Sequence, residues 1–287
     1  MALDGLEAKL VARWKLEELT QSYWGRHYVG FLRTLYTPIV WSCFLTGLNV
    51  EEMGYDLQGL RDIRSAEALH PVLRPFYALR KRLPVRELGV RKLLARAGLA
   101  KPVAPSHMPR ELRRRTFLEV LRARGLRVEA IEVPGYNEGT SNESFRSRWK
   151  DYALAPLREK LTMYEECLGE CERRLARARE LLAEEPDLLM VYLPVPDIPH
   201  HIFFKGLKEA ALLHNAYWRC ARWVEELKAA GPGYTCLIVS DHGFDRARKD
   251  HTRYGFWSLN TPPPFRPRKV TDFFRLIMAL MGAERSA

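Results

Sequence analysis

Short, wholly apolar runs alternate along this chain with longer stretches whose apolar residues recur every three or four positions. Leu154, Leu157, Leu161, Tyr164, Leu168, Cys171 and Leu175 follow helical steps, which predicts a long helix with one buried stripe. That stripe stops before Pro186, and the apolar run 187–193 that follows predicts a buried strand. A second helix is expected from Leu207 to Gly231, and "YTCLIVS" at 234–240 reads as another strand. Upstream, "FLEVLRARGLRVEAIEVPG" reads as helix, glycine stop and strand. Residues 1–3 read as the stub of a strand ending at Asp4, a shortness that an upstream segment would explain. In "TPIVWSCFLTG", Thr37 suits a helix cap, Pro38 the first helical position and Gly47 the stop. Helices alternating with fully apolar strands predict an α/β fold, a largely parallel sheet between helices. No repeat or linker divides the chain, so a single domain over 1–287 is expected.

Charge adds one feature to this picture. The formal net charge is +11, but residues 61–127 hold 18 Lys and Arg against 5 Asp and Glu, and the rest of the chain is close to neutral. This segment, broken by Pro71, Pro75, Pro84, Pro102, Pro105 and Pro109, predicts a basic helical insertion. It is either a set of solvated helix faces or a surface for an anionic partner, nucleic acid included. No apolar stretch is long enough to cross a bilayer, and "MALDGLEAKL" lacks the basic and apolar regions of a signal peptide, so a cytoplasmic location is expected. The five cysteines have no CxxC spacing, which argues against a disulfide framework or a zinc ribbon. Cys167 and Cys171, one helical turn apart, are expected to be buried apolar positions.

Candidate chemistry gathers where the strands end. The first leads to Asp4, the second to "PVPDIPHH" and the third to "SDHG", with His251 following in "KDHTRYGFW". Asp197, His200 and His201 sit on a segment that Pro194, Pro196 and Pro199 make stiff, as groups held in place for a ligand would be. Ligands in parallel α/β sheets collect at the carboxyl ends of strands. Mixed carboxylates and imidazoles favour zinc or manganese over calcium or magnesium. One tetrahedral ion needs at most four ligands; two ions roughly 3.5–4 Å apart would use the whole set, an arrangement suited to phosphoryl transfer.

"LDGL", "YTPIVWSCFLTG", "PVPDIPHH", "VSDHGF" and "HTRYGFWSLN", in this order, resemble the type I phosphodiesterase/nucleotide pyrophosphatase branch of the alkaline phosphatase superfamily. The resemblance implies an alkaline-phosphatase-like core and a Thr or Ser nucleophile nine residues before the Thr of a Thr-Gly pair. Thr46-Gly47 is that pair, which places the nucleophile at Thr37. It further implies that Asp197, His201 and His251 hold one divalent metal and that Asp4, Thr37, Asp241 and His242 hold the other. His200 then takes a supporting position. Two departures stand out: Val40 occupies the place of a phosphate-binding Asn, and Met53-Gly54 that of a His-Gly.

The implied activity is two-metal hydrolysis of phosphodiester or nucleotide pyrophosphate bonds through a covalent intermediate on Thr37, with a small anionic phosphate ester, such as a nucleotide, as substrate. Metal coordination would make the threonine hydroxyl a competent nucleophile, and a helix start would offer free N–H groups to the phosphate. Ser42 is the rival hydroxyl. Val40 and Trp41, with no Arg or Lys in Thr37–Thr46, favour a diester, whose second ester group suits apolar neighbours. Tyr254, Phe256 and Trp257 are either a surface for stacking a nucleobase or core residues. The alternatives are a phosphomonoesterase or phosphonate hydrolase of the same fold, and a basic nucleic-acid-binding module with an inactive hydrolase core. A sulfatase lacks its Cys/Ser-x-Pro-x-Arg motif here, since "FLTG" follows Cys43.

Overall fold

A computed structural model describes residues 1–60 and 107–282. Of the expected basic insertion, 61–106 lies outside the described residues. The six-stranded sheet has the order β2-β8-β5-β1-β4-β3, formed by β1 (Ala2–Leu3), β2 (Tyr23–Tyr28), β3 (Val128–Ile131), β4 (Leu188–Leu193), β5 (Leu237–Val239) and β8 (Tyr254–Leu259). The four strands β5, β1, β4 and β3 are parallel, and the unbroken apolar runs of β5, β1 and β4 suit a sheet covered on both faces. In β4, Met190 and Tyr192 join one apolar cluster while Val191 and Leu193 join the other. Helices Thr37–Thr46, Phe117–Ala123 and Asp272–Leu280 cover the first face, and Leu157–Leu182 and Gly206–Ala230 the second.

The remaining edge departs from expectation. β8 runs antiparallel to both β5 and β2, and β6 (Gly243–Asp245) pairs with β7 (Asp250–Thr252) in a separate hairpin. The long amphipathic helix begins at Leu157, not Leu154. Pro156 sets its start because the residue before a proline is pushed away from helical geometry, and Leu154 is 76% exposed. A separate helix, Thr140–Ala153, precedes it. "DIPHHI" is a short helix rather than an irregular loop. Cys167 and Cys171 are buried as expected. No helix among the described residues is long and apolar enough to cross a membrane.

Candidate metal centre

Three neighbouring parallel strands each end in a carboxylate: β5 runs to Asp241, β1 to Asp4, and β4 through a proline turn to Asp197. Backbone bonds fix the last two together, the Asp4 N–H donating to the Leu193 carbonyl (3.0 Å) and the Asp197 N–H to the Asp4 carbonyl (2.9 Å). Gly5 makes this approach feasible. Its φ is +69°, and a Cβ there would lie 2.8 Å from both Cβ and Oδ1 of Asp197, so any side chain would push the two turns apart. The freed Gly5 N–H donates to Asp241 Oδ1 at 3.3 Å.

Imidazoles close the arrangement. His201 Nε2 lies 3.3 Å from Asp197 Oδ2, and His251 Nε2 3.4 Å from Asp197 Oδ1, with 2.9 Å between the two ring nitrogens. His242 Nε2 lies 3.5 Å from Asp4 Oδ1 and 3.4 Å from Asp241 Oδ2. The opposite nitrogens are spoken for: His251 Nδ1 reaches the Leu35 carbonyl (3.3 Å) and His242 Nδ1 the Gly243 carbonyl (3.2 Å). A carbonyl accepts only from N–H, so when each ring is neutral its proton sits on Nδ1 and Nε2 is left to face the carboxylates, the tautomer a metal ligand needs. All seven residues expected at the site therefore meet. They form two overlapping groups, Asp197 with His201 and His251, and Asp4 with Asp197 and His242. Asp241 joins through His242 and Thr37 through Asp4, its Oγ1 being 3.5 Å from Asp4 Oδ2. His200 turns away: its Nε2 meets the Tyr217 hydroxyl at 2.8 Å and its ring stacks on Phe244.

The electrostatics favour a cation. Burial, followed by the Asp241 and Asp197 carboxylates, holds the Asp4 carboxyl well above its usual range, and burial pushes Asp241 up to about 7. Burial would also raise Asp197, but His201 and His251 outweigh it and hold that carboxyl well below the usual range. Burial would lower His251; Asp197 reverses the effect and raises it to about 9. His242, under burial and the nearby His251, falls to about 4. Asp4 Oδ1, Asp197 Oδ1, Asp241 Oδ2 and His242 Nε2 are all buried without a hydrogen-bond partner. Each such group costs about 1–3 kcal/mol when left unsatisfied. Carboxylate oxygens and imidazole lone pairs turned towards one another are a donor set that divalent zinc or manganese satisfies.

Thr37 and its helix require three corrections. Thr37 does not cap the helix: Tyr36 is the N-cap, and Thr37 and Pro38 are the first two helical residues. Its start offers few N–H donors, since Pro38 has none and those of Ile39 (2.8 Å) and Val40 (3.1 Å) both go to the Tyr36 carbonyl. Val40 and Trp41 are wholly buried in the core, so they give a substrate no apolar surface. The rival hydroxyl is engaged, Ser42 Oγ donating to the Pro38 carbonyl at 2.6 Å. Thr46 bonds back in the same way (2.7 Å), which leaves Thr37 as the one hydroxyl of this helix turned to the carboxylates. Phe256 and Trp257 are core residues; Tyr254 is exposed beneath the Arg26 guanidinium.

Three contributors were not singled out from the sequence. The Tyr192 hydroxyl donates to Asp4 Oδ2. Trp149 stacks on His201, with ring centroids 4.1 Å apart. Glu7 Oε2 accepts the Phe244 N–H (3.1 Å), tying the hairpin that carries His251 to the end of β1. Only Tyr192 left a trace, as the one polar-tipped side chain in "LLMVYL".

Comparison with known proteins adds the family. A search of the curated proteins finds no match. Among solved structures, the chain resembles a protein assigned as a sulfatase from Bacteroides thetaiotaomicron VPI-5482, with a TM-score of 0.52 and 10% identity over 100% of this chain and 71% of that one. A 2-O GAG sulfatase aligns with a TM-score of 0.48 and 11% identity, over 91% of this chain and 63% of its own. At such identities the likeness concerns the fold alone, which is alkaline-phosphatase-like. The model of the type I phosphodiesterase / nucleotide pyrophosphatase family matches residues 80–260, a span that includes Asp197, His201, Asp241, His242 and His251 and excludes Asp4 and Thr37. The chain belongs to the type I phosphodiesterase / nucleotide pyrophosphatase family, and so to the hydrolases of the alkaline phosphatase superfamily.

Proposed function

We propose that the chain, as one catalytic domain, hydrolyses phosphodiester or nucleotide pyrophosphate bonds with Thr37 as nucleophile and two divalent cations, zinc or manganese. The observation that carries this reading is the Thr37 hydroxyl itself, buried, free of its helix backbone and 3.5 Å from Asp4 Oδ2. Asp197, His201 and His251 would hold one cation, and Asp4, Asp241, His242 and Thr37 the other. When bound, such cations lower the pKa of a coordinated hydroxyl and neutralise charge on the phosphoryl oxygens.

Asp4 Oδ2, 3.5 Å from the hydroxyl, would accept its proton once a bound cation keeps the carboxyl ionised. Thr37 Oγ1 then bonds to phosphorus as the ester or anhydride oxygen leaves with the bonding pair and takes up a proton. Water cleaves the resulting phosphothreonine ester, restoring the Thr37 hydroxyl and releasing the phosphorylated product. Trp149 against His201 shields that imidazole from competing solvent. Cys43 is no alternative nucleophile: it is wholly buried, and its thiol is pushed up to about 12 by burial.

The test is turnover of p-nitrophenyl thymidine monophosphate before and after exhaustive chelation, with zinc or manganese then restored. Thr37→Ala is expected to lose turnover yet keep the rise in melting temperature that added cation produces, and Thr37→Ser to retain a measurable rate. Full activity after chelation, or normal turnover by Thr37→Ala, would refute the mechanism.

A further inference from the structure

The helix start beside Thr37 is short of donors for a phosphoryl group, because Pro38 has no N–H, Ile39 and Val40 spend theirs on Tyr36, and Val40 has no polar side chain. Arg146, on helix Thr140–Ala153, has donors in excess. Its Nη2 donates to Glu138 Oε2 at 2.6 Å and to Glu143 Oε2 at 3.4 Å. Its Nε and Nη1 are buried and have no hydrogen-bond partner, although the side chain is only 12% exposed. Buried polar groups are nearly always bonded, so the exception calls for a reason. Arg174, more deeply buried, makes the contrast: its Nε, Nη1 and Nη2 reach Glu170, the Tyr192 carbonyl, Ser141 and Asn142. Arg174 is a saturated brace, whereas Arg146 keeps part of its fork open.

That fork lies beside the proposed reaction. The Arg146 guanidinium is 5.8 Å from the centroid of the Tyr36 ring, the residue immediately before Thr37. Its charge also acts on Tyr192, whose hydroxyl is bonded to the carboxylate that Thr37 faces. One helical turn further on, Trp149 stacks on His201, so this helix face spans from the nucleophile's side of the site to the histidine side. With Nη2 held by Glu138, the unspent guanidinium N–H groups remain charged donors, each able to take one phosphoryl oxygen.

We propose that Arg146 donates from Nη1 to a non-bridging oxygen of the substrate phosphoryl group, supplying a charged donor that the Thr37 helix lacks. This rests on the reading of Thr37 as the nucleophile. Glu138, itself buried, and Glu143 already offset the guanidinium charge, so the group adds a hydrogen-bond donor without net positive charge. Such a site suits the single negative charge of a diester better than the second charge of a monoester.

Arg146→Lys decides the matter, since lysine keeps the charge for Glu138 and loses the second donor nitrogen. With p-nitrophenyl thymidine monophosphate, kcat/KM is expected to fall about 100-fold or more, the effect of deleting an oxyanion donor. The inhibition constant of inorganic phosphate should rise at least tenfold, while the cation-induced rise in melting temperature stays at the wild-type value. Should the lysine variant fail to fold, the neutral pair Arg146→Met with Glu138→Gln carries the same expectations. Wild-type kcat/KM and phosphate inhibition in a folded variant would overturn the assignment and leave the hydrolase reading intact. Normal turnover by Thr37→Ala would refute the nucleophile instead, and phosphate inhibition would then decide Arg146 alone.

Discussion

Asp241→Asn is expected to stabilise the cation-free protein at alkaline pH while destroying its use for cations. Burial lifts the Asp241 carboxyl from 3.8 to about 7, so in the folded state it holds its proton where the unfolded chain has already lost it. For a group raised on folding, the favourable contribution is complete below about pH 4 and is lost as pH rises through about 7. At pH 8 the ionised folded form therefore bears the whole difference, roughly 4 kcal/mol at about 1.4 kcal/mol per pKa unit. Asparagine never ionises. Its Oδ1 can keep the Gly5 N–H bond (3.3 Å in the parent), and its amide can donate towards His242 Nε2, 3.4 Å from the present Oδ2. His27, His200 and His242 all titrate with lowered pKa values, but they are present in both proteins and largely cancel in the difference. Denaturation by urea in chelator should show the variant more stable by up to roughly 4 kcal/mol at pH 8 and within about 1 kcal/mol of the parent at pH 4.5. Zinc at 1,000 times its Kd should erase that advantage, because it adds about 4 kcal/mol to a protein that binds it. A variant less stable than the parent at pH 8 in chelator would refute the picture of crowded, cation-seeking carboxylates.

Gly5→Ala places a Cβ 2.8 Å from Asp197 at a positive φ, so a loss of about 1–3 kcal/mol is expected, together with loss of the zinc-induced rise in melting temperature; an unchanged zinc response would count against this geometry. Tyr192→Phe removes the donor to Asp4 Oδ2 and should weaken zinc binding by about 10-fold or more in titration calorimetry, against no change if the hydroxyl is incidental. Ser42→Ala loses only a bond to the Pro38 carbonyl, so kcat should stay within a factor of about two while stability drops by about 1 kcal/mol. A dead Ser42→Ala enzyme would move the nucleophile.

The parallel core was legible because β1, β4 and β5 are apolar on both faces and its two longest helices carry apolar stripes, interrupted only by buried Lys160, Arg174 and Glu209. The antiparallel edge was not. "YWGRHY" buries only Gly25 and His27 fully, and turns Tyr23 and Trp24 to solvent, so no apolar alternation marks it. Helix Thr140–Ala153 was missed for a related reason: its buried positions are Asn142, Phe145 and Ala153, one of them polar, and a hydrophobic period cannot reveal such a face. Leu154 misled in the other direction, since it keeps the stripe's spacing but falls in the break before Pro156.

The site divides along the same line between what residue types specify and what the sheet specifies. Asp and His after apolar strands suggested metal chemistry, yet nothing in the spacing of positions 4, 197 and 241 makes them neighbours. The strand order β5-β1-β4 does: adjacent strands lie about 4.8 Å apart, so three carboxylates at three consecutive strand ends are brought within range of shared cations. The imidazoles depend on still less visible features. His251 and His242 point the correct nitrogen inward because the carbonyls of Leu35 and Gly243 hold the other one, and a carbonyl belongs to every residue. Arg146 was hidden in the basic count for the opposite reason. Its distinction is not its charge, which Glu138 balances, but the two donors that the fold leaves unspent beside Thr37.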